Sequence, residues 1–294
     1  MHQEIIHIGF SKSASTFLQS IFSNSDEITY KYKSKRYSLI DKQVEEVHSL
    51  LQKPILESDE HIVLPSWHPE LQRTRMTRID DLYKVFSKIK SITAKPKIIM
   101  VVRDQKSLIL SRYSQFVVGS GGYLDLQSFI RKMLGEDGLC FYENYYGLIT
   151  KMLFDCFGQE NVHVMFYEDL KLSGKELVQK LNHFTGLNFD YQPPKFKSQR
   201  KGLSARGLKI LASINKILVS NEQPDSSKVR TRIPHSIYSL IIKTVRVLDS
   251  WFPSKKLALT EEQLKEIENK FYKDNQLLAQ ITGRDIKKLG YSLN

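Results

Sequence analysis

The stretch Lys97–Val102, reading KIIMVV, constrains the fold more than any other. After its lysine the run is unbroken apolar, so it has no face to turn to water. It reads as a strand covered on both sides, the situation of a parallel sheet between two layers of helices. Ile5 to Ile8 is a similar apolar run, followed by a turn from Gly9 to Thr16 and a helix through Phe22. His61 to Leu64, stopped by the proline-flanked Pro65 to Pro69, and Asn161 to Phe166 read as further strands. Between them, Leu108 to Phe116, Tyr142 to Phe157 and Leu172 to Phe184 carry apolar residues at helical spacing, the last ending at Gly186. The glycines of GSGG, from Gly119 to Gly122, predict a mobile loop.

Strands alternating with helices predict an α/β fold, with a central parallel sheet flanked by helices and ligands at the carboxyl ends of the strands. Beyond Pro193-Pro194 the chain becomes a series of basic helices with a polar break from Asn221 to Ser227. Thr260 to Gln263 spells a capping box that opens a last helix running toward Thr282. One domain over 1–294 is expected, with an α/β core at 1–194 and a basic loop and helical C-terminal cap at 195–294. At 294 residues, 41% of them hydrophobic, the chain can bury a large core.

Cysteine usage excludes a disulfide framework or structural zinc. Only Cys140 and Cys156 occur, in no ligand-like spacing, and they read as buried thiols. With no secretory leader and no apolar run long enough to span a bilayer, the expected location is cytoplasmic, at the inner face of the membrane where the chain touches one. The formal net charge is +12, and it is concentrated. From Lys195 to Lys256 fourteen Lys or Arg face three acids, 14 − 3 = +11, a segment suited to an anionic ligand or surface. Ser236 to Phe252 is amphipathic and basic: it reads either as a helix lying on an anionic bilayer or as a cap helix burying its apolar face.

Three regions carry candidate chemistry. The first turn, SKSASTFLQ from Ser11 to Gln19, places Lys12 among hydroxyl residues where a strand feeds a helix. It lacks the second glycine of a Walker loop. Free N–H groups at the positive end of a helix dipole, with Lys12, Ser13, Ser15 and Thr16 beside them, still favour an anion. At the end of Lys97–Val102, Arg103 leaves the sheet, and Ser111 follows eight residues later. That arginine can grip a phosphate bidentately with the serine as a further donor, or pair with Asp104 at the surface. Finally, Gln199 to Gly202 forms a basic turn in which Gly202 permits close approach of the backbone to an anion. Two anion sites and a basic flap fit a nucleotide with phosphates at both ends.

These motifs in this order resemble those of the sulfotransferases that use 3'-phosphoadenosine 5'-phosphosulfate (PAPS), in particular bacterial carbohydrate-type members. The resemblance runs from Ile5 to about Gly202, and DNQLLAQITGRDI near the C-terminus is similar to bacterial members. It implies the P-loop nucleotide-kinase-like fold, PAPS as cosubstrate, PAP as product and no metal. Ser11, Lys12, Ser13, Ala14, Ser15, Thr16 and Phe17 would hold the 5'-phosphosulfate, Arg103 and Ser111 the 3'-phosphate, and Tyr167 of FYEDLK the adenine. Arg200, Lys201 and Gly202 match the RKG turn that closes over the 3'-phosphate. The chain departs from the pattern at Ala14, where relatives carry glycine, and at Phe17, where cytosolic members carry a stacking tryptophan.

What the resemblance implies is in-line sulfuryl transfer to a hydroxyl or amine, with Lys12 stabilising the leaving phosphate and His68 or Glu70, in SWHPEL, as the base. His7, inside the first strand, reads as a core histidine. The basic segment and Tyr142, Tyr145 and Tyr146 suit a glycan or glycolipid acceptor, anionic in character, although those tyrosines are at core-like helical spacing. No nucleic acid partner is expected, and peripheral membrane contact through the basic C-terminal third is. A kinase using ATP and a non-catalytic membrane-associated module are the alternatives.

Overall fold

The computed structural model describes residues 4–9, 12–13, 15–32, 54–59, 75–93, 95–134, 144–191, 202–221, 230–251 and 255–293. The chain divides into two compact units, 1–105 with 136–194 and 268–294, and 106–135 with 195–267.

The first unit is built on five parallel strands: β1 (Glu4–Gly9), β2 (Thr29–Tyr32), β3 (Ile55–Asp59), β4 (Lys97–Val102) and β5 (Val162–Phe166). Their order is β2-β3-β1-β4-β5. The apolar run that predicted a doubly covered strand is β4 itself, its last five residues all buried. The predicted strand at His61 to Leu64 lies outside the described residues, whereas β2 and β3 were not foreseen. Register assigns Ile5, His7, Ile99, Val101 and Met165 to one face. There α1 (Ser15–Ser23) and α6 (Tyr167–Thr185) cover the sheet with Leu18, Ile21, Phe22, Leu177, Val178 and Leu181. On the other face α5 (Tyr146–Phe157) sets the Thr150 hydroxyl 3.8 Å from the Met100 sulfur. Phe157 of α5 meets Phe86 of α2 (Arg75–Ile92) edge-on. The apolar demand of β4 is thus met from both sides, as its composition required.

Helix ends follow their local chemistry. α6 stops at Gly186 in the left-handed conformation (φ 73°). The N-terminus of α5 has no acceptor of its own. Asp274 of α9 (Glu261–Thr282) supplies one, its two carboxylate oxygens each 2.8 Å from the N–H groups of Gly147 and Leu148. Burial raises that carboxyl to about 6 despite both bonds. At the other end of α9 the predicted capping box is formed in both directions. The Gln263 side chain accepts from Thr260 N–H at 2.9 Å, and the Thr260 hydroxyl accepts from Gln263 N–H at 3.2 Å.

In the second unit, α3 (Gln105–Gly119), α4 (Leu126–Leu134), α7 (Ala205–Asn215) and α8 (His235–Trp251) accompany a two-stranded parallel ribbon, β6 (Leu218–Ser220) and β7 (Thr231–Ile233). Fully buried Asn215 ties this unit together. Its side-chain amide donates to the carbonyls of Val117 and Gly122, both at 2.9 Å, its side-chain oxygen accepts from the Tyr238 hydroxyl at 2.7 Å, and Arg230 donates to its carbonyl. The GSGG segment, expected as a mobile loop, begins at Gly119, the last residue of α3. Gly121 and Gly122 are buried, and Gly122 lies so close to the Phe116 ring that a Cβ would overlap it. Cys156 is half-buried and free, and Cys140 lies outside the described residues.

Because Asn215 leaves three or more buried partners stranded when removed, Asn215→Ala should cost about 2–4 kcal/mol in urea unfolding. A loss below about 1 kcal/mol would show that the network is not structural. His7 is fully buried against Phe22, and burial lowers its imidazole to about 4, below an unfolded value near 6.5. The unfolded chain therefore binds the proton first, and stability present above pH 6.5 is lost as pH falls toward 4. The urea midpoint should fall over that window, by about 2 kcal/mol for His7 alone at about pH 4.5. His7→Leu should make the fall shallower, and His163, also lowered to about 4 by burial, should leave a remainder.

Candidate functional site

The site is built where β1, β4 and β5 end, next to one another in the sheet. After β1 the chain turns through Lys12 and Ser13 into α1. Lys12 is exposed and has φ 72°, the left-handed region, where a Cβ is strained by about 1–2 kcal/mol. Ala14, where the missing glycine raised the question of backbone strain, lies outside the described residues, as does Ser11. Ser13 is fully buried, and among the described residues its hydroxyl has no hydrogen-bond partner. A buried hydroxyl without a partner at the start of α1, whose first turn holds no acid, is suited to a ligand that brings its own oxygens. Ser15 is buried at the first position of α1, and Thr16 is exposed. Phe17 lies with its ring 6.3 Å from that of Tyr191.

Arg103 follows β4 directly. Its Nη1 donates to the Lys12 carbonyl at 2.7 Å, and its guanidinium lies over the Tyr167 ring, 4.4 Å from the centroid. The Lys171 ammonium sits over the same ring at 4.8 Å. Tyr167 is thus flanked by two cations, each stabilised by the ring electrons. Three of the residues singled out in the sequence, Lys12, Arg103 and Tyr167, come together here. Asp104, expected at the surface, is buried.

What holds Arg103 in place was not read from the sequence. Glu168 accepts from the Asp104 N–H at 3.1 Å and from the Tyr291 hydroxyl at 3.3 Å. Burial raises the Glu168 carboxyl and lifts the Tyr291 phenol well above its ordinary value, with the Glu168 charge adding to the latter. Asp169 receives both of its bonds from Arg284 Nη2, each 2.9 Å, and the Arg284 guanidinium lies 5.2 Å from the Phe166 ring. Gln105 and Asn275 exchange side-chain hydrogen bonds at 2.8 and 3.3 Å. The signals were present in the E and D of FYEDLK and in the R of TGRDI, without any local reason to pair them.

Ser111 lies half-buried in the second turn of α3, and Gly202 is exposed in the second unit, with only Ser114 near the place a Cβ would take. His68, Glu70, Arg200, Lys201 and Tyr142 lie outside the described residues. Tyr146 is fully buried, and Tyr145 packs edge-on against Phe271, 5.4 Å between centroids. Tyr146 is thus a core residue, and Tyr145 is half-buried. Among the described residues no group of three His, Cys, Asp or Glu could hold a metal ion.

The strain at Lys12 can be measured apart from any activity. Lys12→Gly should unfold at higher urea than Lys12→Ala, by about 1 kcal/mol, because glycine adopts positive φ freely. Equal midpoints would mean that the turn relaxes.

The fold has known likenesses. A solved sulfotransferase from Alicyclobacillus acidocaldarius superposes with a TM-score of 0.59 at 12% identity, covering 98% of each chain. The mouse sulfotransferase SULT7A1, solved with PAP, gives a TM-score of 0.48 at 13% identity over 96% of this chain and 89% of its own. No curated protein matches the chain by sequence. The sulfotransferase domain family matches residues 2–271, nearly the whole chain, and the protein belongs to the sulfotransferase family.

Proposed function

We propose that this enzyme moves a sulfuryl group from PAPS to a hydroxyl or amine of a bacterial glycan, oligosaccharide or glycolipid, releasing PAP. The observation that carries the reading is the joined pair of turns: Arg103 bonded to the carbonyl of Lys12, beside the buried, unpartnered Ser13 hydroxyl. Two cationic turns linked in this way suit a nucleotide with anionic groups at both ends. PAPS, when bound, supplies the sulfuryl group.

The roles of the chain's own residues follow from charge. Lys12 neutralises the negative charge that builds on the bridging oxygen as its bond to sulfur breaks. Ser13 donates to the 5' group. Arg103, with Ser111, takes the 3'-phosphate, and Tyr167 keeps the Arg103 guanidinium in its plane as well as meeting the adenine. In an in-line displacement the acceptor oxygen or nitrogen forms the new bond to sulfur on the side opposite the leaving phosphate. His68 or Glu70 removes the acceptor proton. Arg200, Lys201 and Gly202 close over the 3'-phosphate.

Calorimetry with PAP and with ATP-magnesium decides between donor classes: PAP should bind, and binding of ATP without PAP would overturn the proposal in favour of a kinase. With labelled PAPS, transfer to bacterial surface glycans or lipid-linked sugars is expected. Lys12→Ala should keep PAP binding and lose turnover, while Arg103→Ala should weaken PAP binding by about 10- to 100-fold. Single-turnover rates of His68→Ala and Glu70→Ala then identify the base as the residue whose loss stops transfer.

A further inference from the structure

Helix α8 is unusual in what it leaves in water. Of its seventeen residues, HSIYSLIIKTVRVLDSW, only Tyr238 and Val245 are buried. Ile237 is 50% exposed, Leu240 63%, Val247 49%, Leu248 42% and Trp251 68%. At the 100° step of an α-helix these five and exposed Thr244 fall within an arc of about 100°, one continuous stripe. The hydroxyls near it are already satisfied: Thr244 donates to the Leu240 carbonyl at 3.0 Å and Ser250 to the Val247 carbonyl at 2.6 Å. Taking this face out of water therefore strands little polarity.

Charge around the stripe has one sign. Lys243 is exposed about 40° beyond one edge of the stripe, and Arg246 is exposed farther round the helix. Asp249, the sole acid of the helix, is turned away into a bond with the Ser204 N–H at 2.8 Å and another with the Ser204 hydroxyl. The segment from Lys195 to Lys256 adds the excess of eleven positive charges counted above.

We infer that the outer face of α8 docks the protein onto an anionic membrane surface. An apolar stripe carried by a strongly basic segment matches acyl chains beneath acidic headgroups, with Trp251 at the interface. At about 25 Å the helix would lie along the surface. It is not long and apolar enough to cross a membrane, which holds for every helix among the described residues. A second copy of the chain is the poorer occupant, because it would set Lys243 and the rest of this strongly basic segment against their own duplicates. The inference rests on the exposure of α8 and goes beyond sulfuryl transfer, although a lipid-linked acceptor would give docking a purpose.

Flotation with vesicles of phosphatidylcholine, alone or with about a third phosphatidylglycerol, tests this directly. The full chain should float with the anionic vesicles and not with the neutral ones, and the binding should weaken as salt is raised. The double variant Leu240→Ser, Trp251→Ser should bind anionic vesicles at least about tenfold more weakly. Lys243→Glu with Arg246→Glu should abolish the preference for acidic lipid. PAP binding by calorimetry should be unchanged in both, which separates this test from that of the donor site. The inference is overturned if the wild type ignores anionic vesicles, if either double variant floats as the wild type does, or if light scattering shows a dimer that Leu240→Ser, Trp251→Ser splits while vesicles are left unbound.

Discussion

A half-buried carboxylate, Glu168, organises the site end of the sheet. It sits one residue into α6 and receives the N–H of Asp104, so it couples the end of β5 to the bend after β4. Past that bend Arg103 reaches the Lys12 carbonyl and the Tyr167 ring. Burial opposes the charge on Glu168, and its hydrogen bonds offset part of that cost. The Tyr291 hydroxyl and the Arg284–Asp169 pair complete the support, so the arginine rests on a framework drawn from three separate parts of the chain.

The second unit is organised differently, around a neutral amide. Asn215 uses both ends of its side chain and its carbonyl on four partners, and a residue without both donor and acceptor could not do so. Around it Phe116, Tyr113 and Phe129 pack ring on ring, with Phe129 5.1 Å from Phe116 and 5.4 Å from Tyr113. Helix α8 buries only Tyr238 and Val245, and most of its other apolar residues remain exposed.

Sequence was readable where the physics is local. The unbroken apolar run of Lys97–Val102 matched β4 residue for residue, and Thr260 with Gln263 named a cap that exists in both directions. Arg103 at the end of an apolar strand could be seen as an anion-facing position because strand ends in α/β sheets are where ligands sit, whereas Tyr167 was legible only through the resemblance of FYEDLK. β2 and β3 escaped notice because TYKY and ILESD are short and mix polar with apolar residues, so their strand character comes from their neighbours in the sheet. Arg284 and Tyr291 were invisible for a related reason: nothing beside them in the chain shows that they meet Asp169 and Glu168. Nor does a lysine announce the left-handed backbone of Lys12.

The contacts that steady Arg103 also bear on how the protein assembles. Strand pairing in the sheet can proceed from neighbour to neighbour, but Glu168 reaches 123 residues along the chain to Tyr291, Asp169 reaches 115 to Arg284, and Gln105 reaches 170 to Asn275. Chain closures of that span are entropically costly and reward the folding chain only once both ends are largely ordered. Topologically, then, the rim around the arginine is the part of the first unit with least reason to form early, and the acquisition of its binding geometry is tied to the slow, non-local part of folding.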